Sequence, residues 1–594
     1  METKSTSFIP SFLHSFLLSF VFLVSAVCAQ AQTANGLLQI DDNVTRFLQR
    51  QQSAGYLDDV HLSLLPLSAE YANALLDSLD ARRAQLPIAT RRELDRLRGT
   101  TTTPLARSIN QRIPSLYSNG RDFFSVDGPN DSSPRGADAR ADMGADGPGG
   151  QPRERSHSES LAQFDLQVNP MAYLTAGRAA LSEREGRASS ATTWRNTRGI
   201  RASGSVGGFV YFETRLEENQ RRDPIPVFDA SNRTSPRLGD SDFNDGVLDY
   251  FVATGIVGYQ RGAFDIRFGR DRNRWGYGIG SAQLSNFGPV YDQLQIRTSF
   301  WRIQYVTLFA SLPTARAMNR DFVIPKKYAS MHRLEVNLPH RIQVSIYESV
   351  IFGTDSLGAR QGFDLAYLNP VIFLRAVEAD RGSPDNVLLG ASAAWTVIPG
   401  VRVYTDLLLD ELRVSEIGNK WWGNKWAFQL GGHFAPHPFV DFAVEYTRLR
   451  PYLYAHRDPL NAYVEFTDAL GHPAGPNAKD YLLIANIHPH PQVYGRIEAY
   501  RTLAGRSPDG ENYGDDPTAP NATRISDTGV AILQGIRRTT TSLNVTAGYE
   551  LLPSLYLEAG IGYRAVDDAA LGLDRYVNPM VAMRWGLPVA SGRY

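Results

Sequence analysis

The stretch NKWAFQLGGHFAPHPFVDFAVEYT, Asn424 to Thr447, decides how this chain folds. In its first half Trp426, Phe428, Leu430 and Phe434 fall on one face of an extended strand, while Lys425, Gln429 and His433 fall on the other. After a break at Pro436 to Pro438 the alternation resumes, with Val440, Phe442, Val444 and Tyr446 set against Asp441, Glu445 and Thr447. Side chains alternate faces along a strand, so each half has one apolar and one polar side. Two such strands joined at prolines form a hairpin. Strands of roughly ten residues with this split match a tilted membrane strand that faces lipid on one side and a polar lumen on the other.

The same texture runs outward in both directions, in AFDIRFG (263–269), RIQVSIY (341–347) and YLEAGIGY (556–563). Short turn-like links fall at Gly204 to Gly208, Gln260 to Gly262, Trp301-Arg302, Pro339 to Arg341, Pro399-Gly400, Pro436 to Pro438, Pro489 to Gln492 and Leu552 to Ser554. Long polar or aromatic stretches separate them at 177–192, 218–247, 271–292, 313–330, 352–386, 411–423, 449–479, 502–539 and 565–576. About eight turns and about nine loops connect about eighteen strands, an even number with short turns at one end and long loops at the other, as in outer-membrane barrels. That parity puts both chain ends at the turn end, which in such barrels is periplasmic. No fixed-period repeat of the kind a soluble propeller carries is present. The fold class expected is an all-β transmembrane antiparallel barrel spanning 163–594, presenting long loops to the exterior. A barrel this wide leaves an aqueous interior unless something fills it.

Composition agrees. The chain holds 28 Phe, 27 Tyr, 8 Trp and 50 Gly, yet mean hydropathy is below zero because every second residue of a barrel strand can be polar. A formal net charge of −1 argues against a nucleic-acid binder. The start reads as a secretory signal over 1–31, with an apolar stretch from Phe16 to Val27 and a small-residue site at Ala29-Gln30-Ala31. Cleavage there removes Cys28, the one cysteine, and with it disulfides, thiolate metal sites and Cys nucleophiles. Residues 32–99 have helical spacing: Val44, Phe47 and Leu48, then AEYANALLDSLDARRAQ (69–85). Residues 100–162, rich in Gly, Pro, Asp and Ser, read as a flexible polar linker.

Several loop and strand motifs resemble one family. FDIRFGRDRNRWGYGIGSAQLSNFGPVYDQLQIR (264–297) resembles the Wzi family of capsule assembly proteins. HRLEVNLPHRIQVSIYESVIFG (332–353), DLAYLNPVIF (364–373), DNVLLGASAAW (385–395), EYTRLRPYLYAHRDP (445–459) and GHPAGPNAKDY (471–481) follow in the family's order. AGYLDDVHLSLLPLSAEYANAL (54–75) is similar to the family's opening region more loosely, and the 100–162 linker departs from its compact helical start. The resemblance implies a lectin-like outer-membrane barrel with a small helical periplasmic part, acting in attachment of capsular polysaccharide. The implied partners are capsular or exopolysaccharide, outer-membrane lipids and polysaccharide-export proteins in the periplasm, with the barrel as a monomer.

Sugar binding calls for flat aromatic faces and for planar polar side chains that bond hydroxyls or pair with uronate carboxylates. Trp421 and Trp422 in GNKWWGNKW are one candidate group; Arg450, Tyr452, Tyr454, His456 and Arg457 beyond a strand top are a second. Against the tryptophans stands the aromatic girdle that such barrels carry, or packing within the loop; against the second group stands loop folding, since its Arg and His residues do not suit a purely lipid-facing girdle. Arg270, Asp271, Arg272, Arg274 and Trp275 form a third cluster, read as a lumen or loop network that pairs with acids such as Asp265. DLAYLNPVIF is apolar enough to fold inward and constrict the pore. His433 with His437, and His488 with His490, have no third ligand nearby, so no metal or other cofactor is expected. Motifs of zinc proteases, serine hydrolases and P-loops are absent, and a non-enzymatic binder is expected. The competing class is a channel for small solutes, with an open lumen lined by charge.

Overall fold

The computed structural model describes residues 36–98, 164–182, 189–224, 241–314, 326–353, 365–369 and 385–589. The expected signal peptide at 1–31 and linker at 100–162 lie outside these residues.

Eighteen antiparallel strands close into one barrel. The first five are β1 (Phe164–Leu181), β2 (Ser190–Val206), β3 (Val210–Arg222), β4 (Val247–Arg261) and β5 (Phe264–Asp271). There follow β6 (Tyr291–Phe300), β7 (Ile303–Pro313), β8 (Lys326–Leu338), β9 (Ile342–Phe352), β10 (Asn386–Ile398) and β11 (Val401–Glu411). The last seven are β12 (Lys425–His437), β13 (Val440–Leu449), β14 (Ala478–His490), β15 (Val493–Arg506), β16 (Ile536–Leu552), β17 (Leu555–Asp568) and β18 (Gly572–Trp585). Each pairs with its sequence neighbours, and β1 closes the ring on β18 through pairs such as Ala172 with Trp585. Ser241–Asn244 pairs only with the start of β4 as a hairpin beyond the wall.

Short links at one end alternate with long loops at the other, and the first and last strands both meet the turn end. Strand number, turn positions and loop positions follow the sequence reading with one correction. The stretch 565–576, read as a long loop, is mostly strand: β17 runs to Asp568 and β18 starts at Gly572. Arg538 pairs with Asp568 and Leu573 with Asp567, so the ladder continues almost to the tip.

Period-two alternation decides what each strand shows to either side. On β5, Phe264 and Phe268 are 53 % and 69 % exposed on the outer face, while Asp265 and Arg267 are buried inside. On β12, Phe428 and Leu430 face out and Lys425 and Gln429 are buried. An apolar belt including Phe251, Val257, Ile346, Leu483, Ile561 and Val581 therefore surrounds the barrel, and Phe300, Trp301, Trp395 and Tyr549 add exposed aromatics toward the turn end. This is the surface a lipid-facing wall requires.

Among the described residues three α-helices precede the barrel: α1 (Asn43–Ser53), α2 (Ala69–Ala81) and α3 (Ile88–Leu97). The Asp42 side chain accepts from Val44 N to start α1, and the Ser68 hydroxyl accepts from Tyr71 N to start α2, satisfying N–H groups that a helix end leaves unpaired. Phe47, Leu48, Leu57, Leu76, Leu79 and Leu94 form their shared core. The segment between α1 and α2 enters the lumen, where Leu64-Leu65 pairs antiparallel with Arg274-Trp275 of the 272–290 loop. Leu64, Trp275, Leu284, Val306, Leu308, Leu408 and Tyr454 pack into one buried cluster inside the wall. At this level the lumen is a packed core.

Polar groups fasten the helices to the wall. His61 Nδ1 lies 2.8 Å from Glu335 of β8, and Ser63 donates to the same carboxylate. Arg297 and Arg267 donate to the carbonyls of Leu64 and Pro66 at 3.3 and 2.7 Å. Arg96 reaches Glu550 at 2.8 Å, and Gly400 N donates to Ser53 O at 2.9 Å.

Candidate functional site

The candidate site stands at the loop end, where three loops converge: 412–424 after β11, 450–477 after β13 and 507–535 after β15. Arg450 joins them. Its guanidinium donates to the carbonyls of Asn424, Trp421 and Val530 at 3.0, 3.0 and 2.9 Å. Tyr452 donates its hydroxyl to Asn512 O at 2.7 Å, and its backbone N donates to Gly514 O at 2.9 Å. Tyr454 reaches deeper, donating to Ala282 O of the inward loop at 2.9 Å and receiving from His472 N at 3.0 Å. Its ring stacks on Tyr463 with centroids 5.7 Å apart.

Holding these side chains requires unusual backbone. Tyr452 and Tyr454 have φ of 65° and 69°, and Lys420, beside the tryptophans, has 50°. Each left-handed non-glycine residue costs on the order of 1–2 kcal/mol. The cost is offset by the bonds just named. Gly514 admits no other residue: its φ is +80°, and a Cβ would lie 2.6 Å from Tyr452 N.

Trp421 and Trp422 stand half-buried beside this scaffold, ring centroids 5.6 Å apart. Arg413 stacks over Trp421 at 4.5 Å and Arg524 over Trp422 at 4.3 Å. Tyr452 supports Trp422 edge-on at 6.0 Å. The result is a strip, Arg413–Trp421–Trp422–Arg524, of flat faces flanked by guanidinium forks. Arg524 is oriented by Asp527 through two bonds, of 2.6 Å from Nε and 2.5 Å from Nη2. Such a strip stacks on the apolar face of a pyranose and offers paired donors to hydroxyls or carboxylates.

Of the residues singled out from sequence, Trp421, Trp422, Arg450 and Tyr452 come together here. Tyr454 lies close by but is 0 % exposed and belongs to the lumen core. His456 is half-buried, its Nδ1 receiving Asp458 N at 3.2 Å. Burial pushes it down to about 4, so it is neutral at physiological pH. Burial pushes the Tyr452 phenol up to about 12, which keeps its hydroxyl a donor. Arg457 is exposed on the loop surface. Arg413 and Arg524 were not found from sequence: each is a single arginine in a polar loop, and only the fold sets it over a tryptophan.

The third cluster divides. Asp271 faces inward, 3.9 Å from Arg215. Arg272 is bonded to Gly288 O at 2.7 Å, Arg274 lies 3.4 Å from Asp41, and Trp275 is fully buried. Arg270 does not join them. Two residues on from Phe268, it lies on the outer face and pairs there with Asp292 at 3.3 Å. The inward partner of Asp265 is Arg267, at 2.5 Å, with Tyr211 donating at 2.7 Å. The described part of DLAYLNPVIF packs inward: Tyr367 is 2 % exposed, 4.4 Å from the Phe352 ring.

No protein-family model and no curated protein matches the chain. Among solved structures, that of Wzi, an outer-membrane protein involved in group 1 capsule assembly in Escherichia coli and described as a carbohydrate-binding β-barrel, covers 94 % of this chain and 100 % of its own, with 13 % identity and a TM-score of 0.52. Pseudomonas aeruginosa OccK9 covers 71 % of this chain and 98 % of its own, with 10 % identity and a TM-score of 0.40. A BenF-like porin from Pseudomonas fluorescens covers 71 % and 99 %, with 8 % identity and a TM-score of 0.40. The loop motifs had pointed to the same fold as the first of these, and this chain is an eighteen-stranded outer-membrane-type β-barrel with the fold of Wzi.

Proposed function

We propose that this chain is an outer-membrane protein that holds surface polysaccharide at the cell exterior through its outer loops, without turning it over. The observation that carries this reading is the pairing of a packed lumen with an aromatic and guanidinium strip at the loop end. A barrel whose interior is occupied by Leu64, Trp275 and Leu284 is poorly built to pass solute, while Trp421, Trp422, Arg413 and Arg524 are built to contact sugar rings. The carbohydrate binding of the structurally similar Wzi supports it. In this reading the turn end, with both chain ends, faces the periplasm, and the barrel acts as a monomer among outer-membrane lipids. Each ring contact is weak, and a repeating polymer touching several barrels is held by avidity.

One observation favours the channel reading. A polar cavity of about 160 Å³ runs inside the wall along β1–β3 and β15–β18, lined by Thr193, Arg195, Glu498, Asn544 and Asn578. The two readings part in a strain lacking the chain, where cell-bound and released polysaccharide are compared. Polymer made in normal amount but recovered in the medium supports the anchor. Unchanged retention with reduced solute uptake replaces it with the channel.

A further inference from the structure

At the opposite end of the barrel, a cavity of about 120 Å³ lies between α1 and the inner faces of β12–β15, β17 and β18. Seating one water takes roughly 10–15 Å³, so this space admits a small polyatomic ion. Its lining carries six arginines (Arg46, Arg50, Arg96, Arg274, Arg496 and Arg584) against three carboxylates (Asp41, Glu93 and Asp441).

Five of the six arginines are matched. Arg50 pairs with Glu93 and, at 3.6 Å, with Asp441. Arg96 pairs with Glu550 at 2.8 Å, Arg274 with Asp41 at 3.4 Å, Arg496 with Glu498 at 2.5 Å and Arg584 with Glu558 at 2.6 Å. Arg46 has no ion pair among the described residues. Its one bond runs to Asn43 Oδ1 at 3.0 Å, and Asn43 in turn donates to the Tyr556 hydroxyl at 3.1 Å. Arg584 lies 4.3 Å over the same Tyr556 ring. Burial and the neighbouring charges of Arg496 and Arg584 hold the Arg46 pKa below its ordinary value, with Asp41 and Asp42 only partly opposing them. A guanidinium has five N–H groups. Arg46 spends one on Asn43, whereas Arg496 and Arg584 each spend three within the wall and keep the rest.

An unmatched guanidinium crowded by two others is the arrangement that an oxyanion relieves, since each fork offers paired donors to its oxygens. We propose that this cavity binds a phosphate-class oxyanion, held by Arg46 from α1 and by Arg496 and Arg584 from the wall. Bound there, the anion bridges the helical plug and the barrel. Free phosphate and the phosphate of a lipid headgroup present the same chemistry.

The test is calorimetric titration of the full chain in detergent, in a phosphate-free buffer at low salt, with inorganic phosphate as the probe. The site predicts saturable binding of one phosphate. Arg46→Gln is expected to weaken it by about tenfold to a hundredfold, the worth of one charge-assisted contact, and Arg46→Lys, which keeps charge but loses the fork, by less. Arg92→Gln, exposed on α3, is expected to bind as the natural chain does. Should Arg46→Gln fail to fold, Arg46→Lys and the raised unfolding temperature of the natural chain in phosphate carry the test. Displacement of bound phosphate by phosphatidylglycerol micelles identifies a headgroup site; no displacement identifies a site for free phosphate. No binding of phosphate, equal binding by Arg46→Gln, or binding of glucuronate in its place overturns the proposal.

Discussion

Replacing Arg450 by Met keeps the unbranched apolar stem of the side chain and removes every donor, leaving the carbonyls of Asn424, Trp421 and Val530 without their clasp. A hydrogen bond from a charged group contributes about 1.5–3 kcal/mol, but exposed carbonyls regain water and neighbouring bonds do not add, so about 3 kcal/mol is expected for the three together. Because Arg450 lies just beyond β13, which ends at Leu449, the loss falls on the loops and spares the barrel ladder. An opening made easier by about 3 kcal/mol raises hydrogen exchange by about a hundredfold. The assay is exchange measured by mass spectrometry over 412–424 and 525–535, with the heat-dependent gel shift of the barrel as control. The reasoning fails if those loops exchange within about threefold of the natural chain, or if the barrel itself unfolds more easily, because either result would mean that Arg450 does not act as a loop clasp.

Two further outcomes follow from the packed lumen and its buried acid. Glu465, 0 % exposed with no hydrogen-bond partner among the described residues, has its carboxyl pushed up to about 8, chiefly by burial and against the nearby Arg272. An acid raised on folding takes up a proton as the chain folds, so stability is fullest below the ordinary value of 4.5 and falls as pH rises toward 8. Glu465→Gln is expected to remove that fall, unfolding at a higher temperature than the natural chain at pH about 8 by a margin worth a few kcal/mol; parallel pH curves for the two proteins would contradict it. In planar bilayers the full chain is expected to conduct far less than an open barrel of its strand number, and deletion of residues 36–98 to raise the conductance several-fold, since Leu64-Leu65 leaves with them; equal conductance would mean that the helices do not close the lumen.

The wall was legible because its signal is local. A strand that faces lipid on one side and a polar interior on the other writes period two into its own sequence, and turns such as Pro399-Gly400 are marked by residues that cannot continue a ladder. The same periodicity, counted from Phe268, already places Arg270 on the outer face; grouping it with its charged neighbours overrode that count. What fills the barrel was not legible. Leu64-Leu65 meets Arg274-Trp275 across more than two hundred residues, and no pattern in either segment names the other. The binding strip was half visible. Trp421 and Trp422 are conspicuous as neighbours, whereas Arg413 and Arg524 acquire meaning only when three loops bring them over the rings. Arg450 and Tyr452 hold the loops, the alternative set against sugar contact for their group: Arg450 donates to three backbone carbonyls and the Tyr452 hydroxyl to a fourth.

The central claim is that the loop-end strip holds polysaccharide to the cell. It is tested most directly in a strain lacking the chain, complemented with the natural protein or with Trp421→Ala/Trp422→Ala, by measuring how the polymer partitions between cells and medium. The account predicts that the natural protein restores cell-bound polymer, while the double variant, inserted in the outer membrane in equal amount, leaves most of it in the medium. Full retention with the double variant would contradict it.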